Sequence, residues 1–400
     1  MMKKFKDLVT ANGVFSDGDW VESKDQNPNG DVRLIQLADI GVGTFIDKSN
    51  RFMTSEKAEE LKCTYLEEGD ILIARMPDPI GRACIFPELN TKCVTVVDIC
   101  IVRPASDEID SRWLMHLINS ERFNNQILKF VTGTTRQRIS RGNLAKLDVE
   151  VPPLEKQKRI AAILDKADNV RRKRQQAIDL ADDFLRSVFL DMFGDPATNP
   201  KGFPLGILSD FYIDHKNGTK CGPFGSALKK HEYVENGVPV WNMDNISLNG
   251  KFTDSPRLWI TESKYVDLEA YSVEDGDVII SRAGTVGKMG VVRSKSEHSI
   301  ISTNLIRVRF GEKLRPEYFV NLMNYCKGRV GRLKTGPDGA FTHMNTGILD
   351  KLEFPYPPIE LQNRFIEIKE KVISSLEKSE RNEIDNLFNS LSQKAFAGEL

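Results

Sequence analysis

The chain has 400 residues, 40% of them hydrophobic, enough for two to four domains, each with its own core. Its 28 glycines and 18 prolines are ordinary usage, and no stretch reaches the roughly 18 uninterrupted apolar residues of a membrane span, which excludes collagen-like, broadly disordered and membrane-spanning classes. Lys and Arg total 56 against 57 Asp and Glu; a net charge of −1 by itself speaks against a nucleic-acid binder, whose usual footprint is a basic domain. The N-terminus carries no apolar signal core, so a cytoplasmic location with no membrane association is expected. Cys63, Cys84, Cys93, Cys100, Cys221 and Cys326 form no Cys-x-x-Cys pair and are expected as reduced thiols.

In chain order, residues 1–150 carry short β-rich runs, among them Ile71–Ile73, Val94–Val97 and Ile99–Val102, punctuated by Gly-Asp and Asn-Gly turns, with a helical period over Ser111–Phe130. Residues 151–195 follow with a long helix. It starts after Pro152-Pro153, places Ile160, Leu164, Ala167, Ile178, Ala181, Leu185, Val188 and Met192 in a heptad stripe broken by Arg171 and Arg174, and stops at Gly194-Asp-Pro196. Residues 196–356 repeat the β-rich pattern at Val278–Ile280 and Leu305–Val308, with a helical period over Pro316–Arg332. Residues 357–400 close the chain with a second helical stripe through Leu361, Phe365, Ile368, Val372, Leu376, Leu387 and Leu391.

The second half is a copy of the first. Leu66-Glu-Glu-Gly-Asp-Ile-Leu-Ile-Ala-Arg75 returns as Val273-Glu-Asp-Gly-Asp-Val-Ile-Ile-Ser-Arg282, and Pro152-Pro-Leu-Glu-Lys-Gln-Lys-Arg159 returns as Pro357-Pro-Ile-Glu-Leu-Gln-Asn-Arg364. Two matches in the same order at nearly one offset point to a duplication. The fold class expected is therefore α+β: two globular α/β domains held apart by a long antiparallel two-helix coiled coil, with an internal pseudo-two-fold repeat.

No catalytic constellation stands out. Gly284-Thr-Val-Gly-Lys288 is followed by Met289, where a phosphate-binding loop needs Ser or Thr, and Arg282 replaces its first Gly. Neither a Gly-x-Gly-x-x-Gly after a strand nor a His-Glu-x-x-His occurs, and the five histidines are not spaced as metal pairs, so no catalytic and no metal residue is assigned. Asn27-Pro-Asn-Gly30 lacks the second proline and the aromatic ring that grip a flipped base, and reads as a turn.

Polar loops at corresponding places in the repeat remain. Thr132-Gly-Thr-Thr-Arg-Gln-Arg-Ile-Ser-Arg141 concentrates Arg136, Arg138 and Arg141 with Thr134 and Gln137. Arg and Gln grip G and A bidentately in a major groove, and Thr suits phosphates; the competing reading is a solvated turn. The second half offers Lys216, Lys220, Lys229, Lys230, Arg282 and His343. Local charge also differs from the total: residues 1–150 hold 20 basic and 23 acidic side chains, residues 196–356 hold 21 and 18.

The doubled Pro-Pro-Leu/Ile-Glu-x-Gln-x-Arg helix start, the Phe193-Gly-Asp-Pro196 exit and Cys221-Gly-Pro-Phe-Gly-Ser-Ala-Leu-Lys229 with Gly237-Val-Pro239 make the chain resemble the specificity subunit of type I restriction–modification systems. The resemblance implies that residues 1–150 and 196–356 are target-recognition domains, each reading half of a split site in double-stranded DNA. It implies that residues 151–195 and 357–400 are spacer helices that set the gap and dock two DNA-methyltransferase subunits, with Arg159, Ile160, Leu164, Leu185, Arg364, Phe365 and Ile368 as docking candidates. The chain itself would then be non-catalytic and without a cofactor. S-adenosylmethionine, ATP and Mg2+ would act on the modification and restriction/translocase subunits, the assembly being a site-specific deoxyribonuclease and adenine DNA methyltransferase. A coiled-coil adaptor that does not read DNA, and the recognition subunit of a modification-only complex, are the alternatives.

Overall fold

The computed structural model describes residues 1–224, 227–247, 250–282, 286–326, 346–377 and 381–399. The chain forms two compact units, one of residues 1–176 with 380–400, the other of residues 177–379.

The first unit contains β1 (Met2–Lys4), β2 (Val14–Asp17), β3 (Val32–Ile35), β4 (Phe52–Met53), α1 (Ser55–Glu60), β5 (Ile71–Ala74), β6 (Ala83–Ile85), β7 (Lys92–Thr95), β8 (Ile99–Arg103), α2 (Ser111–Ile118), α3 (Glu121–Leu128), α4 (Arg141–Leu144) and β9 (Asp148–Glu150). Strands β2-β8-β5-β6 make an antiparallel sheet, β4-β3-β7 a second sheet in which β3 and β7 run parallel, and β1 pairs with β9. Every residue of β5 is buried because the sheet is covered on both faces. Ile71 and Ile73 pack with Trp113, Leu114 and Ile118 of α2, while Leu72 and Ala74 face Ile35, Ile40 and Phe86, the period-2 alternation of a strand. Each such side chain contributes about 1.5–3 kcal/mol on burial. The single helix expected over Ser111–Phe130 is two, because Ser120 accepts from Phe123 N and starts α3 afresh, while Asn119 pairs with the backbone of Ala83 at 2.9 and 2.8 Å.

The second unit repeats the plan with β10 (Leu205–Ile207), β11 (Thr219–Cys221), β12 (Val238–Trp241), β13 (Trp259–Ile260), β14 (Val278–Ser281), β15 (Met289–Val291), β16 (Ile300–Ile301), β17 (Leu305–Val308) and β18 (Glu353–Pro355). The orders β11-β17-β14-β15, β13-β12-β16 and β10-β18 match those of the first unit one for one, with β12 and β16 again parallel. The stretch expected to be helical at Pro316–Arg332 is helical over Pro316–Cys326, and the remainder lies outside the described residues.

The long helix runs unbroken from Leu154 to Phe193, about 60 Å at 1.5 Å per residue. Gly194 ends it in the left-handed region at φ +74, where an added Cβ would sit 2.5 Å from Pro200. Residues 357–400 hold helices Ile359–Glu377 and Arg381–Ala397, with residues 378–380 outside the described set. Within the first unit, the C-terminal helix runs antiparallel to residues 154–176: Lys156 Nζ donates to Gly398 O at 3.2 Å, and Arg171 lies 4.7 Å over the Phe388 ring. The arginine that interrupts the heptad stripe is thus a cation–π contact. Within the second unit, Phe189 and Phe193 pack on Phe365 at 5.5 and 5.6 Å, as helix 359–377 runs antiparallel to residues 177–193.

Candidate nucleic-acid interface

The repeat motif builds a matched frame in each unit. Asp70 and Asp277 are buried, and each accepts a bidentate guanidinium, from Arg103 (2.6 and 2.8 Å) and from Arg309 (2.8 and 2.8 Å). Hydrogen bonds and charge from those carboxylates outweigh burial and hold Arg309 above its ordinary range; Arg103 is raised chiefly by its hydrogen bond to Asp70. Gly69 and Gly276, at φ +88 and +90, supply the turn that aims each carboxylate inward.

The glutamine of the helix-start motif is equally structural. Gln157 is buried, accepts from Asp110 N at 2.9 Å and donates to Glu108 O and Pro152 O. Gln362 accepts from Arg315 N at 2.8 Å and donates to Lys313 O and Pro357 O. Each amide therefore pins the start of its helix to the loop before the preceding domain helix.

At the C-terminal end of β5 the frame turns outward. Arg75, 2% exposed, donates from Nη1 to Ile139 O at 3.5 Å and from Nη2 to Val97 O, while Ile139 N donates to Arg75 O at 3.0 Å. One buried guanidinium thus ties the turn after β7 to the loop before α4. Thr132 and Arg138 exchange two backbone hydrogen bonds of 3.0 and 2.9 Å, Gly133 takes φ +95, and buried Ile139 anchors the far side. Residues Thr132–Arg138 all stand exposed. Arg138 reaches Asp98 at 3.9 Å and Arg141 donates to Phe15 O at 3.4 Å. Among the described residues, no partner engages the side chains of Thr134, Arg136 or Gln137. A stapled loop with free guanidinium and amide donors pays little ordering entropy when it meets a ligand rich in acceptors.

In the second unit the candidates divide. Arg282 sits at the end of β14, where Arg75 sits in the first unit; its backbone N donates to Asn304 O at 2.9 Å, as Arg75 N does to Asp98 O. Its guanidinium lies 5.0 Å from the Phe224 ring. Lys216 is exposed at the opposite end of β11, in a turn capped by Asp214 and held by Arg307 Nη2 on Asn217 O at 2.9 Å. Lys220 is half-buried, with its ammonium 5.3 Å over the Tyr271 ring. Lys229 and Lys230 are exposed. His343 lies outside the described residues.

The docking candidates divide as well. Ile160, Leu164 and Phe365 are 2%, 0% and 1% exposed and belong to the units' own cores, so they are not free to meet a partner; the apolar stripe that suggested docking is spent on intramolecular packing. Leu185 and Ile368 are half-buried, and Arg159 and Arg364, matched in the repeat, are exposed. The apolar helix surface left open is at Val170, Leu180 and Phe184, which the heptad count overlooked because these lie off the stripe, and at Leu387, which lies on it.

Burial pushes the Cys84 and Cys100 thiols up to about 12 and Cys93 to about 11, which keeps them neutral and unreactive. Among the described residues no three His, Cys, Asp or Glu side chains cluster as a metal site, and no helix is long and apolar enough to cross a membrane.

A doubled scaffold of buried frames, each presenting exposed polar side chains at its sheet end, defines a two-headed recognition protein. The family model of the type I restriction modification DNA specificity domain matches residues 1–180 and again 224–386, and the chain belongs to this family. It is 23% identical over 291 residues to the type I restriction enzyme MjaVIII specificity subunit of Methanocaldococcus jannaschii, covering 67% of each protein. It is 22% identical over 325 residues to the EcoKI specificity subunit of Escherichia coli, covering 73% of this chain and 66% of that protein. Its fold is similar to the S subunit of a type I restriction–modification system from M. genitalium, with a TM-score of 0.59 over 99% of this chain and 96% of the other, at 14% identity.

Proposed function

We propose that this chain is the DNA-reading subunit of a type I restriction–modification complex, in which each unit reads one half of a split target and the helices set the gap between the halves. The observation that carries the reading is the Thr132–Arg138 loop: exposed along its length, fixed at both ends, and offering Arg136 and Gln137 with no partner of their own. Those two side chains match the acceptor and donor pattern of G and A in the major groove, while Lys216, Lys229 and Lys230 suit phosphates. Partner docking falls to Arg159, Arg364 and the exposed apolar residues Leu180 and Phe184. Methyl transfer and cleavage, with S-adenosylmethionine, ATP and Mg2+, belong on the modification and restriction subunits. Near-neutral charge fits a reader whose non-specific grip on phosphate is shared with such partners.

The test is a titration of the full chain, assembled with its modification subunits, against randomised-sequence duplexes between about 50 and 200 mM salt. Binding that weakens with salt and enriches one bipartite sequence supports the reading. Assembly without salt-sensitive DNA binding identifies a coiled-coil adaptor instead.

A further inference from the structure

Strand β2 pairs Asp17 with Cys100, and β11 pairs Cys221 with Ile306, the residue that corresponds to Cys100 in the repeat. The next residue in each chain is glycine, and the two glycines do the same thing. Gly18 N donates to Ile99 O at 2.8 Å and Gly222 N to Leu305 O at 2.9 Å. A Cβ on Gly18 would fall 2.3 Å from Val96 O, and one on Gly222 2.0 Å from Ser302 O, again corresponding atoms. Two residues beyond each glycine the chain presents an aromatic ring to solvent, Trp20 at 70% exposed in the first unit and Phe224 at 60% in the second.

These rings sit where the frame turns outward. Asp19, beside Trp20, bridges to Val96, adjoining the turn whose Val97 O and Asp98 O are held by Arg75. Arg75 in turn anchors the loop of Arg136 and Arg138. Phe224 lies under Arg282, the counterpart of Arg75. Nε of Arg75 pairs with Asp17 Oδ1 at 3.4 Å, whereas Nη1 of Arg282 is buried with no hydrogen-bond partner among the described residues. Exposed aromatics thus stand at matched positions of the two copies and serve no core, Phe224 beside the Arg282 guanidinium and Trp20 donating its indole N–H to Glu22 at 3.3 Å.

Resting on the DNA-reading function above, we propose that Trp20 and Phe224 are paired aromatic contacts to duplex DNA, one in each unit, packing against base edges or sugar faces beside the arginines. The guanidinium groups supply charge complementarity to phosphate, and the rings supply flat apolar area whose sequence preference depends on which bases they cover.

The full chain, assembled with its partner subunits, is titrated with a duplex carrying the motif that genome-wide methylation mapping assigns to this gene. Trp20→Ala and Phe224→Ala each weaken binding roughly tenfold, as loss of a contact to a base edge does, and they relax different halves of the motif. Trp20→Phe, which keeps a ring, retains tight binding. Trp113 and Trp241 are buried and Trp259 is half-buried, so Trp20 emission is read as the difference between the parent and Trp20→Phe, and it is this difference that duplex DNA quenches. Alanine variants that bind and discriminate as the parent does, or Trp20 emission unmoved by saturating duplex, overturn the proposal. Should an alanine variant lose thermal stability, the emission measurement on the parent chain decides alone. A parent complex that ignores duplex DNA altogether defeats the DNA-reading function itself, a distinct outcome.

Discussion

The two units solve their internal problems with the same residues and present different surfaces. Inside, Asp70 with Arg103 answers Asp277 with Arg309, Gln157 answers Gln362, and Gly18 answers Gly222, each pair with matching partners and geometry. Outside, the first unit carries the arginine loop Thr132–Arg138, whereas the described surface of the second carries lysines at Lys216, Lys229 and Lys230. Positions that cost several kcal/mol when altered stay alike across the duplication, and positions that cost the fold almost nothing diverge. A reader of split targets needs that division, since one scaffold must support two specificities.

The largest effect tests the helices. Four residues inserted after Gln176 add about 6 Å to the long helix, near two base pairs at about 3.4 Å each. Methylation at the original sites is expected to be lost in favour of sites with a longer gap, and a gap unchanged in the methylation map defeats the role of the helices as a ruler.

The frame comes next. Asp70→Ala and Asp277→Ala each remove the buried carboxylate of a half-buried guanidinium that keeps only an exposed carboxylate partner, Glu67 or Glu274, an expected loss of about 3 kcal/mol. Denaturant melts should show the two losses alike; a large loss in one unit alone breaks the equivalence. Gln157→Ala and Gln362→Ala each strand one backbone N–H and two carbonyls, for about 2–3 kcal/mol by the same melts.

The surfaces give smaller and more selective effects. Arg136→Ala is expected to cost about 1–3 kcal/mol of discrimination at one base position with no change in melting, while Lys216→Ala lowers affinity for all sequences and reduces the salt slope by about one.

The smallest effect separates the units by pH. Asp39 and Asn245 occupy corresponding places, each capping the turn that begins at Gln36 or Asn242. Burial opposes the charge on Asp39, but hydrogen bonds from Ser49, Gln36 and Lys48 prevail and hold the carboxyl below its ordinary value of 3.8. Its stabilising contribution is therefore complete above that value and lost as pH falls through the depressed folded one. Asp39→Asn should flatten the acid limb of stability below about pH 4, whereas Asn245 adds no such dependence to the second unit; an unchanged acid limb contradicts this assignment.

Much of the fold could be read before any coordinates. Short β-rich runs such as Ile71–Ile73 announced strands, and the absence of Gly and Pro from Glu155 to Phe193 announced the long helix, whereas the burial of β5 on both faces emerged from the fold. The site was less legible, for physical reasons. Heptad counting marks what is apolar on a helix, and Ile160, Leu164 and Phe365 are apolar because the units' own cores need them. The partner-facing candidates Leu180 and Phe184 lie off that stripe. Lys220 is basic in sequence, and its half-burial beside the Tyr271 ring emerges only from the fold. Trp20 and Phe224 share no motif, since Gly18-Asp-Trp and Gly222-Pro-Phe have only the glycine in common, and their equivalence emerges from the pairing of β2 and β11.

The most direct measurement is a genome-wide methylation map of cells with and without this gene, the partner genes kept in place. The account predicts that one bipartite motif is methylated only when the gene is present, and that Arg136→Ala loosens a single half of it. Identical maps with and without the gene would contradict it.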